Sequence, residues 1–154
     1  MTTQEAFDLV KHVLDADQMK YHMDEEKRSF SMAFRSEVME NLVTTVFVME
    51  GPSAIAVLSN LGTAIPEERR VEGALLVNAL NYRRMGIINY LYDISDGRIT
   101  VAMNQFYDSS RLEEDAVRSL VGTVNEAVEQ AELSVRTMLD PATDFTEFLT
   151  SLMK

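Results

Sequence analysis

The sequence predicts one α+β domain, an antiparallel sheet covered by helices in the order α-β-β-β-β-α-β-β-α with a short terminal helix. Two periodicities and their punctuation predict it. Apolar residues recur at three and four residues near both ends and in the middle, and at every second residue between them. Turn residues separate the segments, and no repeat or low-complexity linker interrupts them.

The first helix is expected over residues 3–17, where Ala6, Leu9, Val10, Val13 and Leu14 share one face. Glu5 and Asp8 suit its positive end. The period then changes. Met19, Tyr21 and Met23 alternate with Lys20, His22 and Asp24. After the polar turn Asp24-Glu25-Glu26-Lys27, Phe30, Met32 and Phe34 alternate with smaller or polar residues. Both stretches read as half-buried strands. Residues 41–50 are rich in β-branched side chains (Val43, Thr44, Thr45, Val46, Val48) and read as a strand buried on both faces or nearly so. Gly51-Pro52-Ser53 turns the chain into another apolar strand over 54–61.

Pro66 suits a first helical position, with Glu67 and Glu68 behind it, and Gly86 suits the end of that helix. Its middle, residues 71–80, is apolar on nearly every face, which implies burial on more than one side or at a subunit interface. Ile88, Tyr90, Tyr92 and Ile94 then share one face of a strand. Asp96-Gly97 is expected to form a two-residue type I′ turn into a return strand carrying Ile99, Val101 and Met103. Ser110 and Glu113 have the spacing of a capping box that opens the longest helix, to about residue 139. Along it Val117, Val121, Val124, Val128, Ala131, Val135 and Met138 form a seam of period 3.5. Asp140-Pro141 ends it. Residues 140–154 form a helical tail with Phe145, Phe148, Leu149 and Leu152 on one face.

Composition narrows the function. The 154 residues include 25 Asp and Glu against 14 Lys and Arg, a formal net charge of −11. Such a chain repels phosphate backbones, and its basic clusters, Arg69-Arg70 and Arg83-Arg84, are only pairs, so no nucleic-acid partner is expected. There is no cysteine, which removes thiolate chemistry, disulfides and Cys-ligated metals. The two histidines, His12 and His22, have no partner at metal-binding spacing, so no metal and no cofactor are expected. Asp24-Glu25-Glu26 and Glu113-Glu114-Asp115 fall in a turn and a first helical turn, where carboxylates are normally solvated or capping. No phosphate-binding glycine loop and no GxSxG elbow occurs. The start of the chain has neither a basic nor an apolar leader region, and no apolar run approaches ~18 residues. A cytoplasmic protein without a membrane span is expected.

The segment from Leu76-Val77-Asn78-Ala79-Leu80-Asn81 through the Asp96-Gly97 hairpin to the long helix resembles the YbjN family, provisionally described as bacterial sensory transduction regulators. The resemblance covers residues 3–139, taken as a single domain. It implies a twisted antiparallel sheet flanked by helices, like that of type III secretion chaperones. It also implies a homodimer, a protein-binding or regulatory role, and no enzymatic activity.

Candidate contact residues follow from patterning. Methionine is abundant, ten of 154. Met19, Met23 and Met32, with Phe34, either fill an ordinary core or line an adaptable groove on the sheet. In the second case the Phe145, Phe148, Leu149, Leu152 face is expected to cover that groove. Asn78 and Asn81 lie in the apolar helix and either bond to a neighbouring strand or loop or contact a ligand or a second subunit. The alternative function is a small-molecule sensor or enzyme with a pocket of Tyr82, Tyr90, Tyr92 and Asn78.

Overall fold

The computed structural model describes residues 1–84, 86–107 and 111–154. Its elements follow the expected order: α1 (Thr3–Ala16), β1 (Tyr21–Asp24), β2 (Ser29–Phe34), β3 (Leu42–Met49), β4 (Ala54–Asn60), α2 (Arg70–Arg83), β5 (Asn89–Asp93), β6 (Arg98–Phe106), α3 (Glu114–Leu139) and α4 (Phe145–Leu152). The six strands form one antiparallel sheet in the order β1-β2-β3-β4-β6-β5.

α1 starts on a capping box. The Thr2 hydroxyl accepts from the Glu5 backbone N–H at 3.1 Å, and the Glu5 carboxylate accepts from the Thr2 backbone N–H at 2.7 Å. α3 begins at Glu114, and the Ser110 of the expected capping box lies outside the described residues. The seam of α3 is buried along its whole length, from Val117 to Met138. Valine is a modest helix former, so packing holds this helix rather than propensity. Each large side chain taken from water contributes about 1.5–3 kcal/mol.

Register places Phe30, Met32, Phe34, Thr44, Val46, Val48, Val57, Val101, Tyr90 and Tyr92 on one face of the sheet. α1, α2 and α3 all cover that face. Phe7 on α1 stacks on Phe30 at 4.7 Å, Asn125 on α3 bonds Thr44, and Gly73 on α2 abuts Tyr92. The core lies between this face and the three helices. α4 packs on α2.

Several expectations need correction. β3 is not buried on both faces: Leu42, Thr44, Val46 and Val48 are buried, whereas Val43 is 46% exposed and Met49 39%. Among the described residues no helix lies over the second face, and Val43, Met49, Leu91 and Phe106 meet solvent there. Within one chain, residues 71–80 bury Gly73, Leu76, Val77, Ala79 and Leu80 and expose Val71 and Leu75. Pro66 precedes a short 3₁₀ turn, Glu67–Arg69, and α2 starts after it.

Asp96-Gly97 does not form a two-residue type I′ turn. Asp93 pairs with Arg98, so four residues make the loop, and of these only Gly97 has positive φ, at 76°. The Gly97 N–H donates to the Asp93 carbonyl at 2.8 Å. The longer loop brings Gly97 against Ile65, whose N–H donates to the Gly97 carbonyl, also at 2.8 Å. A Cβ on Gly97 would meet the Ile65 carbonyl oxygen at 2.1 Å. Glycine is required there both by conformation and by backbone contact.

Candidate functional site

A groove of ≈ 260 Å³ opens between α1, β2 and the N-terminal half of α3. Local chemistry at the end of α1 shapes it. Gln18 takes a left-handed conformation (φ 54°), its N–H donates to the Asp15 carbonyl at 3.1 Å, and the Met19 N–H donates to the Leu14 carbonyl at 2.9 Å. This is a Schellman closure, and such closures bring together the side chains of the residues at each end. Here they are Leu14 and Met19, and both line the groove. Met32 and Phe34 from β2 and Val117 and Val121 from α3 complete an apolar lining.

The polar groups sit at the rim and the end. The Arg118 guanidinium grips the Asp17 carboxylate with two bonds, at 2.8 and 3.0 Å, and also contacts Asp115 at 3.2 Å and Glu114 at 3.4 Å. The bond from Arg118 holds the Asp17 carboxyl below the usual carboxylate range, and the same bond raises the Arg118 pKa. The bidentate pair ties the end of α1 to α3 and fixes one lip of the groove. Asn125 accepts from the buried Thr44 hydroxyl at the groove's floor. Gly122 leaves the other lip open: a Cβ there meets nothing within 4 Å.

Met32 and Phe34 reach the groove from one face of β2, whereas Met19, expected on a strand, precedes β1 and is placed by the closure of α1. Met23 shares the Met32 and Phe34 face of the sheet but pairs with Phe30 on β2 and does not line the groove. The tail does not cover the groove. Phe145, Phe148 and Leu152 pack against the core beside α2, Leu149 is half-buried, and no α4 residue lines the groove. The reason is that α2 exposes apolar surface of its own, which gives α4 a nearer place to dock.

Asn81 is structural. Its amide nitrogen donates to the Tyr90 carbonyl at 2.9 Å and its amide oxygen accepts from the Tyr90 N–H at 2.8 Å, which locks α2 to β5. Asn78 faces solvent. The tyrosine pocket of the alternative reading does not assemble. Tyr90 is buried, and burial raises its hydroxyl pKa. The Tyr92 hydroxyl donates to the Arg70 carbonyl at 2.9 Å, and Tyr82 is exposed.

Sequence reasoning missed Glu132. This carboxylate is buried on α3 at 1% exposure, where it accepts from the backbone N–H of Gly62 at 3.0 Å, from that of Thr63 at 3.2 Å and from the Thr63 hydroxyl. Arg136 lies 3.4 Å away. It anchors the strand-to-helix connection after β4. The available signal was position, because residue 132 lies four after Val128 and three before Val135, beside the buried seam.

His12 meets Glu114 at 3.5 Å on the surface, and His22 is exposed on β1. Among the described residues no group of three or more His, Asp or Glu is placed to hold a metal ion, and no helix is long and apolar enough to cross a membrane.

No family model and no curated protein matches the chain. Solved structures do match. YbjN from E. coli, provisionally assigned as a transcription regulator, superposes with a TM-score of 0.64 at 10% identity over 84% of this chain and 90% of its own. An uncharacterized protein from Methanothermobacter thermautotrophicus gives 0.59 at 20% identity over 84% and 95%. A chain of the ExsC–ExsE complex gives 0.59 at 12% identity over 93% and 100%. A chain of the HopA1–SchA chaperone–effector complex gives 0.58 at 12% over 86% and 98%. These likenesses are of fold, and the fold is the chaperone-like α+β sheet that the sequence resemblance implied.

Proposed function

We propose that this chain is a non-enzymatic, cytoplasmic protein-binding module of the YbjN kind. In this reading it works as a homodimer, with residues 1–139 as its binding domain and residues 140–154 as an accessory tail. Its target is a polypeptide that inserts apolar side chains into the groove between α1, β2 and α3. The observation that carries this reading is the lining itself. Half-buried Met19 and Phe34 open onto the buried Leu14, Met32, Val117 and Val121, an apolar lining at whose mouth the flexible Met19 thioether can adapt to different side chains. The structural neighbours support it, because two of them come from complexes and one of those is named a chaperone–effector complex.

Gly122 provides the test. It sits in a helix at the groove's lip with free space around it, so Gly122→Trp fills the groove without straining the fold. Peptides selected from a displayed random library on the wild-type protein are expected to carry one or two large apolar anchors. By calorimetry their affinity is expected to fall at least tenfold on Gly122→Trp, with an unchanged melting temperature. Peptides that bind the variant equally well would place the site elsewhere. A stoichiometric small molecule that co-purifies with the wild type and is lost from the variant would make the groove a metabolite site.

A further inference from the structure

We propose that Asn125 reads the main chain of the bound polypeptide. Its amide nitrogen donates to a carbonyl of a short extended segment, which crosses α3 over Gly122 while an apolar side chain enters the groove. The inference rests on the peptide-binding reading above and names the residue that recognises a peptide rather than any apolar ligand.

Three polar side chains line the groove: Asp17, Arg118 and Asn125. The first two are committed to each other by two bonds, and Arg118 also contacts Asp115 and Glu114. Asn125 is different. Thr44 beneath it has no solvent exposure, and its hydroxyl donates to the Asn125 amide oxygen. That hydroxyl proton has no other acceptor among the described residues, so the bond fixes which end of the amide faces the protein. The amide nitrogen carries two N–H donors and meets no acceptor among the described residues. Asn125 is half-buried, so the nitrogen belongs to the groove and not to the core.

Charge selects the acceptor. An anionic head group would lie beside Asp17, Glu114 and Asp115, whose one cation, Arg118, they already engage. The chain as a whole carries a formal net charge of −11. A neutral carbonyl escapes that repulsion. A polypeptide supplies one at every residue.

Gly122 supplies the clearance. Glycine inside a helix weakens it relative to alanine. Gly73 on α2 has a packing reason, because a Cβ there would meet the Tyr92 hydroxyl at 2.6 Å. Gly122 has no such reason. It lies within α3 without a positive φ, it is exposed, and a Cβ there would meet nothing within 4 Å. Nothing in the chain itself uses the bare position, whereas a main chain lying against the helix would. Arg118, Gly122 and Asn125 are spaced four and three residues apart and share one face of α3. From Arg118 to Asn125 the helix rises ~10 Å. That is the length of about three extended residues. The lip therefore takes a short extended segment, with its anchor in the ≈ 260 Å³ groove and a carbonyl at Asn125.

Peptides selected on the wild type from the displayed library are the probes, and calorimetry is the readout. Asn125→Asp still accepts from Thr44 but presents an acceptor where a donor stood, so affinity should fall at least tenfold with the melting temperature retained. The double variant Thr44→Val with Asn125→Leu removes both ends of the bond without burying an unpaired hydroxyl. It should fold and bind about five- to tenfold more weakly, the weight of one hydrogen bond. Gly122→Ala should melt higher yet bind more weakly. Esters placed in turn along the peptide weaken one carbonyl acceptor each. At one position the loss seen on the wild type should vanish on the double variant, which a merely structural role for Asn125 does not produce. If both Asn125 variants bind as the wild type does while Gly122→Trp does not, the groove stands and this role for Asn125 is overturned. Ester losses that are the same on both proteins at every position also overturn it. If Gly122→Trp binds the peptides unchanged, the groove reading itself fails and takes this inference with it.

Discussion

The two faces of β3 carry nearly the same residue types, yet they have opposite surroundings. On β3, Leu42, Thr44, Val46 and Val48 lie under the helices at 3% exposure or less, while Val43 is 46% exposed on the other side. On this strand apolar character therefore does not distinguish the covered face from the uncovered one, although across the other strands the open face is the more polar, with Ser31, Asn60, Asn89 and Asn104. What distinguishes them is the partner. α1, α2 and α3 each bring an apolar stripe and named anchors to one face, and among the described residues no helix is placed over the other. The covered face is where energy is stored, and the uncovered face is where association remains possible.

The comparison breaks most sharply on α3. Val124 has no solvent exposure and sits in the seam that covers the sheet. Val124→Asp is expected to cost about 3–5 kcal/mol, because the carboxylate must be buried unpaired or take up a proton. Glu126 is two residues away and exposed, so Glu126→Ala should stay within about 0.5 kcal/mol. Urea denaturation of both variants measures the contrast, and similar midpoints would mean that the seam does not carry the fold.

That seam was legible in the sequence, because a period of 3.5 held over three heptads has no competing explanation. The strands were legible from alternation at Tyr21, Met23, Phe30 and Met32. Exposure of Val43 and Met49 was not. An apolar residue reads the same whether a helix covers it or solvent meets it, and only tertiary packing decides. The Asp96-Gly97 loop was misread because the dipeptide matches two loop lengths, and the contact with Ile65, about thirty residues away, selects the longer one. Within the site, Met32 and Phe34 were foreseeable from their shared face, but Met19 was not, since the closure of α1 and no strand places it. The Asp17–Arg118 clamp was not, since it joins residues 101 apart in the chain.

Glu132 supplies the next contrast. It is a charged group held on the covered side by three hydrogen bonds from Gly62 and Thr63. Glu132→Ala is expected to cost about 2–4 kcal/mol, because the Gly62 and Thr63 donors lose their acceptor in a site with little room for water. The polar pair on the open face is the control. Thr100 donates to Asn60 there in contact with solvent, so Thr100→Val should cost about 1 kcal/mol or less. Amide exchange checks the mechanism, since Glu132→Ala should specifically speed exchange at Gly62 and Thr63. Unchanged protection at those two amides would show that Glu132 is not their anchor.

The smallest expected effect separates the faces most cleanly, because it uses one substitution on one strand. Valine and threonine have nearly the same shape and both suit a strand, so Val→Thr mainly adds a hydroxyl. At Val46, with no exposure and Phe30 and Val57 as cross-strand neighbours, that hydroxyl has no polar side chain opposite it. Burying it unpaired should cost about 1–3 kcal/mol. At Val43, three residues away, the hydroxyl meets water, and the change should be about 0.5 kcal/mol or less. Urea denaturation of the two variants reads the difference, and equal costs at Val46 and Val43 would mean that the covering helices do not decide it.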